Sequence, residues 1–120
     1  MISHLVLMKP RADLSDADRA AFVAAFEHAV RAIDTVRTVY IGRRVRHGAG
    51  YEATSPDIDF IASINFDDLE GLQTYLKHPA HQDLGARFGQ AMSLAMVYDC
   101  EVTSSAKALA ERSDAAPPLG

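Results

Sequence analysis

Tyr75-Leu76-Lys77-His78-Pro79-Ala80-His81-Gln82 reads as one helix ending and another beginning. Proline lacks an amide hydrogen and fixes φ, so it breaks a helix from within but suits a first helical position. One helix therefore closes near Lys77 and a short one follows. The break also concentrates chemistry, because it holds two of the five histidines, His78 and His81. Tyr75 lies on the last turn before it, where a phenol and an imidazole can act as proton donor and acceptor.

Working outward, Ile58 to Phe66 is the clearest strand, with Phe60, Ala62, Ile64 and Phe66 on one face and Asp59, Ile61, Ser63 and Asn65 on the other. Asp67 or Asp68 caps the next helix, whose apolar stripe is Leu69, Leu72, Tyr75 and Leu76. Beyond the break, Gln82 to Met92 is a short helix carrying Leu84 and Phe88, and Leu94 to Val102 is a last strand. At the front, Ile2 to Met8 forms a strand with His4, Val6 and Met8 on one face and Ser3, Leu5 and Leu7 on the other. Ser15, followed by Asp16 and Asp18, caps a helix that runs to about Asp34 with Phe22, Phe26, Val30 and Ile33 as its stripe. Val36 to Val45 is rich in β-branched and aromatic residues, a second strand with Gly42 as a candidate bulge. The glycine-bearing loop 46–57 is long enough to be mobile or to lie over a cleft.

The order β-α-β-β-α-β predicts an α+β, ferredoxin-like subunit: a four-stranded antiparallel sheet with helices on one face. Two helices cover only one face, yet the other presents Leu5, Leu7, Leu94, Met96 and Tyr98. An apolar face of that size calls for a partner, and a two-fold homodimer with sheets face to face is the economical one. A monomer with a mediocre sheet face is the alternative.

A chain of 120 residues and 13.0 kDa fits a single domain, here 1–102, with a tail, 103–120, disordered or partly helical near Ala106 to Arg112. The single cysteine, Cys100, excludes an intrachain disulfide and a thiolate metal cluster, in keeping with a reducing compartment. No targeting signal is evident and no apolar run approaches the roughly 18 residues of a membrane span, so the expected setting is cytoplasmic, without membrane contact. A net charge of −4 argues against nucleic acid. Arg43, Arg44, Arg46 and His47 form one basic cluster, but without interleaved aromatics they read as a solvated strand end.

His4 and Lys9 on the first strand, the 75–82 stretch, and Val97-Tyr98-Asp99-Cys100-Glu101 together resemble the stress-responsive dimeric α/β-barrel family over about residues 1–102. Within it the likeness is to the polyketide-cyclase type, whose Val-Tyr-x-Gly segment is matched by Val39, Tyr40 and Gly42. The resemblance implies a dimer of ferredoxin-like subunits with a pocket between sheet and helices. It places the cyclase's catalytic tyrosine on Tyr75 and its catalytic histidine on His81, with His4 and Asp99 in support. Two polar positions of the cyclase fall on Phe60 and Phe26, so the same substrate is not implied. Many members of the family have no assigned activity, and a shared fold does not transmit function.

The chemistry then expected is cofactor-free proton abstraction beside a carbonyl, leading to cyclisation or isomerisation of a small, mostly apolar compound. His81 would be the base, oriented by Asp99, and Tyr75 would donate to the forming enolate. The strands would contribute Val6, Met8, Phe60, Ala62 and Val97 to the pocket wall, and the helices Phe22, Phe26, Leu76 and Leu84, with Met92 at their junction. A His81–Asp99 contact that only ties helix to strand is the plainer reading, as is core packing for the aromatic residues. His4 alone on an apolar face reads first as a satisfied core histidine, His78 as a helix cap, and His28 and His47 as surface residues. His4, His81 and Asp99 could form a two-histidine, one-carboxylate metal set, but they lack motif spacing, so no metal is expected. A non-catalytic module that binds a small ligand or a protein partner stays open beside the enzyme. A cofactor-free monooxygenase is disfavoured by the absence of tryptophan. A void of roughly 300 Å³ or more reaching Tyr75 and His81 would favour an enzyme or binder; Phe26 and Phe60 filling it would count against the enzyme.

Overall fold

The computed structural model describes residues 1–111. Its elements are β1 (Ile2–Pro10), α1 (Asp16–Ala32), β2 (Thr38–Arg43), β3 (Phe60–Phe66), α2 (Leu69–Lys77), α3 (Pro79–Ala91) and β4 (Met92–Glu101), with single 3-10 turns at Gly50–Ala53 and Ala106–Ala110. The strands form one sheet in the order β2-β3-β1-β4, every neighbouring pair antiparallel. This is the ferredoxin-like α+β arrangement, its second helical segment divided at the proline into α2 and α3. Part of the expected tail helix, and all of 112–120, lies outside the described residues.

Local chemistry explains where the helices begin. The Ser15 hydroxyl accepts from the Asp18 amide and the Asp68 carboxylate from the Gly71 amide, each satisfying an amide the first helical turn leaves unpaired. His78 ends α2 and caps α3: its backbone is extended at φ −68°, ψ 141°, Pro79 follows in the first helical turn, and its Nδ1 accepts from the Ala80 amide at 3.0 Å. Gln82 to Met92 is therefore too short a reading of α3, because the proline opens the helix instead of preceding it.

The buried face of α1 is centred on Ala25, Ala29 and the following Ile33, with Phe22 and Phe26 packed at its side, so its axis runs closer to the sheet than a stripe of Phe22, Phe26 and Val30 would allow. On α2, Leu72 and Tyr75 are buried but Leu69 is exposed. Ala29, Ile33, Ile64, Phe66, Leu72 and Tyr75 form the main core between helices and sheet. Gly42 is not a bulge: β2 keeps continuous register with β3 through Gly42 opposite Ile61, and the irregularity of the sheet lies at Lys9 and Pro10 of β1. The loop after β2 is pinned. Glu52 accepts from the amides of His47 and Ala49, Gly48 takes a left-handed φ of 88°, and the Arg44 guanidinium donates to the carbonyls of Pro56 and Ile58.

Strand parity decides the two faces. His4, Val6 and Met8 of β1 pair with Asp99, Val97 and Ala95 of β4 on the helix side, and Leu5 and Leu7 pair with Tyr98 and Met96 on the other. That other face is uncovered by any described element and exposes Tyr40, Ile61, Leu94 and Tyr98. At one end it is polar, with the Ser3 and Ser63 hydroxyls 3.0 Å apart and the Asn65 amide donating to the Thr38 carbonyl. No described helix is long and apolar enough to cross a membrane.

Leu72 is 2% exposed at the centre of the main core. Leu72→Ala is expected to lower unfolding free energy by about 3 kcal/mol, read from urea denaturation at constant slope.

Candidate functional site

A cavity of about 260 Å³ lies between the sheet and the helices, with Tyr75 of α2 and His81 of α3 at its polar end. Their rings are 4.7 Å apart between centroids and tilted by 60°. His4 meets Tyr75 edge to face at 5.9 Å, and Phe66 packs against the phenol from beneath at 5.3 Å. The volume is slightly under the roughly 300 Å³ that begins the usual range for ligand sites, which suits a small molecule. Val97, half exposed on β4, and Gly85 on α3 also line it, so it opens between these two elements, where no helix crosses β4.

The polar groups of the cavity differ in how they are held. His4 is 6% exposed, and its Nδ1 lies 2.6 Å from Asp99 Oδ1, which fixes Nδ1–H as the donor and turns Nε2 toward other partners. Asp99 is thus spent on His4, directly opposite it in the β1–β4 register. The expected His81–Asp99 pairing is not formed, because α3 reaches the sheet beside Tyr75 and not over the β4 edge. Among the described residues His81 has no carboxylate partner. Burial, and then the positive charge His4 can carry, push its pKa below the usual 6.5 and keep the imidazole neutral. Burial pushes the Tyr75 phenol the other way, up to about 12, so it stays protonated.

No described side-chain oxygen or nitrogen is both buried and unpaired; the Tyr75 hydroxyl has no protein hydrogen-bond partner among the described residues, and the His81 ring N–H faces the Leu76 carbonyl. Both side chains line the cavity, the phenol free to donate to a ligand and the second His81 nitrogen free to accept from one. A neutral base, a phenolic donor and a carboxylate-held imidazole at the end of an apolar chamber can bind a carbonyl, take a proton beside it and stabilise the resulting oxyanion.

Of the expected wall, Val6, Met8, Phe26, Ala62, Leu76, Leu84 and Val97 face the cavity. Phe22, Phe60 and Met92 do not. They pack around Val6, Met8 and Ala62 in a second cluster and support the wall from behind. Phe26 borders the void without filling it. Ile64, Gly85 and Phe88 also line it and were missed. Ile64 follows from the parity of Ala62, and Phe88 from its position four residues after Leu84, but neither was distinguishable from core packing. No described group of three or more metal-ligating side chains has a geometry that could hold an ion.

The family described as the Stress responsive A/B Barrel Domain matches residues 2–102. Olivetolic acid cyclase of Cannabis sativa is 24% identical over 98 residues, covering 82% of this chain and 93% of the cyclase. Among solved structures, a protein of Arabidopsis thaliana superposes with a TM-score of 0.74 at 19% identity, over 88% of this chain and 99% of its own. A hydroxynitrile lyase from Passiflora edulis gives 0.70 at 11% identity, over 87% and 94%. A dimeric ferredoxin-like protein of unknown function from Thermobifida fusca gives 0.66 at 18% identity, over 84% and 90%. These likenesses bear on the fold.

With its folded-state pKa below 6.5, His81 binds fewer protons in the folded chain than in the unfolded one as the solution acidifies. It therefore subtracts stability as the pH falls through that value and has no effect well above it. The His81 imidazole resonance should titrate below pH 6.5. His81→Gln should also lose less stability than the parent between about pH 7.5 and 5.5 in urea denaturation.

Proposed function

The chain belongs to the stress-responsive A/B barrel family, and from that premise we propose that it is a homodimeric, cofactor-independent enzyme of the cyclase or lyase kind. Its substrate is a small, mostly apolar carbonyl compound. The observation that carries this reading is the Tyr75–His81 pair, 4.7 Å between ring centroids, at the polar end of an apolar chamber.

In this reading the apolar part of the substrate fills the space between Met8, Phe26 and Phe88, and its carbonyl lies toward Tyr75. His81, kept neutral by burial, takes the proton from the carbon beside the carbonyl. As charge moves onto the carbonyl oxygen, the Tyr75 hydroxyl donates to it, and a phenol whose own ionisation is pushed to about 12 keeps its proton throughout. His4 is a positioning residue. Held by Asp99 at 2.6 Å, it packs on the phenol edge and fixes where the ring sits. The enolate then attacks a second carbonyl of the same molecule to close a ring, the resulting alkoxide taking back the proton from the His81 imidazolium, or is reprotonated at another carbon by that imidazolium. The likeness to olivetolic acid cyclase supports the first outcome; with a hydroxynitrile lyase the chain shares the fold.

The dimer rests on the exposed Tyr40, Ile61, Leu94 and Tyr98 face and on structural relatives described as dimeric. Burying it against its two-fold copy removes apolar surface from water without disturbing the cavity on the other side of the sheet.

Turnover of a panel of polyketide-like ketones, aromatic carbonyl compounds and cyanohydrins by the parent, His81→Ala and Tyr75→Phe tests the mechanism. Each variant should lose roughly a hundredfold or more in kcat/KM on whichever compound the parent converts. Binding without turnover in all three chains would leave a ligand-binding module in place of the enzyme. For the assembly, Ile61→Asp should convert a dimer into a folded monomer by light scattering; a parent that is already monomeric would refute it.

A further inference from the structure

The basic cluster around Arg43 has no role in the chemistry above, yet it forms part of a built cleft. At the end of the sheet where β1 and β2 finish and β3 starts, beside the first turn of α1, Lys9, Arg11, Arg19, Arg43, Arg44 and Arg46 line a cleft of about 490 Å³. Concentrating so many cations is notable in a chain of net charge −4. Carboxylates offset only part of them, including Asp59, which lines the cleft itself and lies 3.9 Å from Arg46. Asp57 lies 3.0 Å from Lys9 and 2.9 Å from Arg46, Asp59 lies 3.6 Å from Lys9, and Asp13 pairs with Arg11 at 3.2 Å. Arg44 is engaged by the backbone carbonyls of Pro56 and Ile58. Among the described residues Arg19 and Arg43 have neither an ion pair nor a side-chain hydrogen bond, although Arg19 comes from α1 and Arg43 from β2, and the fold brings both to one cleft. Like charges held together with too few counter-charges repel, and a multiply charged oxyanion relieves that repulsion while matching the guanidinium forks.

We propose that this cleft is a binding site for a diphosphate group, held by Arg19 and Arg43 with Lys9 and Arg46 adding charge. Two phosphoryl units are chosen over one because two guanidinium groups without a protein partner among the described residues reach the cleft from different elements, and each fork matches one unit. Phe60, opposite Arg43 in the β2–β3 register, gives the cleft an apolar floor on which an attached organic moiety can rest. The site does not depend on the chemistry of Tyr75 and His81, so either can fail alone.

Calorimetric titration of the full chain with inorganic diphosphate at low salt tests it, with ADP as a parallel probe. Saturable binding at one site per chain is expected, weakened at least about tenfold in the Arg19→Ala/Arg43→Ala double variant, whose fold is checked by thermal melting. Arg37→Ala should leave it unchanged, since Arg37 pairs with Asp67 elsewhere on the surface. Tighter, Arg43-dependent binding of ADP would assign the group to an ester carrying a ring on Phe60; equal or weaker binding would assign it to the free ion. No saturable binding of either probe at millimolar concentration overturns the proposal, as does equal affinity in the folded double variant.

Discussion

Everything distinctive about the cavity depends on one backbone constraint, the passage from α2 to α3 through a single extended residue. His78 sits at ψ 141° because Pro79 disfavours the helical region for the residue before it, and Pro79 itself is placed where a helix can start. Tyr75 is three residues before this joint and His81 three after, so both point back toward the same space although they belong to different helices. One added residue on either side would turn its aromatic ring by about 100° around the helix axis. The His78 side chain is absorbed in holding the joint, where it caps α3, and is therefore unavailable for chemistry.

The two cavity histidines acquire different characters from where the one nearby carboxylate lies. Asp99 sits across from His4 on adjacent antiparallel strands, a pairing the register enforces. That hydrogen bond holds the His4 ring in place, while burial lowers the pKa of the half-buried His81, which has no carboxylate of its own among the described residues. Near Tyr75 the cavity thus contains a neutral acceptor, a protonated phenol and a fixed imidazole, three states separated by burial and one strand contact. The apolar side chains around them lower the local dielectric, which strengthens each of these preferences.

The sheet couples this site to the rest of the molecule through its alternation. Along β1, His4, Val6 and Met8 serve the cavity, and the intervening Leu5 and Leu7 belong to the open face. No single-residue shift of β1 against its neighbours is tolerable, because it would place the imidazole on the open face and the leucines in the cavity. β4 is covered least: Val97 is half exposed on the helix side and Tyr98 on the other, which leaves the cavity mouth and the open face sharing one strand.

Much of this was legible in the residues. Period-two alternation in β1 and β3, the caps Ser15 and Asp68, and the His-Pro joint fixed the element order and therefore the ferredoxin-like sheet, because each is a local preference of the chain acting on itself. The same local rules located the joint that carries Tyr75, His78 and His81, and the family resemblance singled out Tyr75 and His81 within it. Residues close in sequence could not reveal which imidazole Asp99 would engage; that depended on the β1–β4 register, set by pairing between strands some ninety residues apart. Nor could they separate cavity wall from buttress, since Phe26 and Phe60 carry the same apolar signal and only the depth at which α1 settles on its alanines puts one at the void and the other behind it. The identity of the elements was a property of the sequence; the partners of the polar groups and the empty space before them were decided by tertiary packing, because hydrogen bonds and volume belong to pairs of distant segments and not to either one alone.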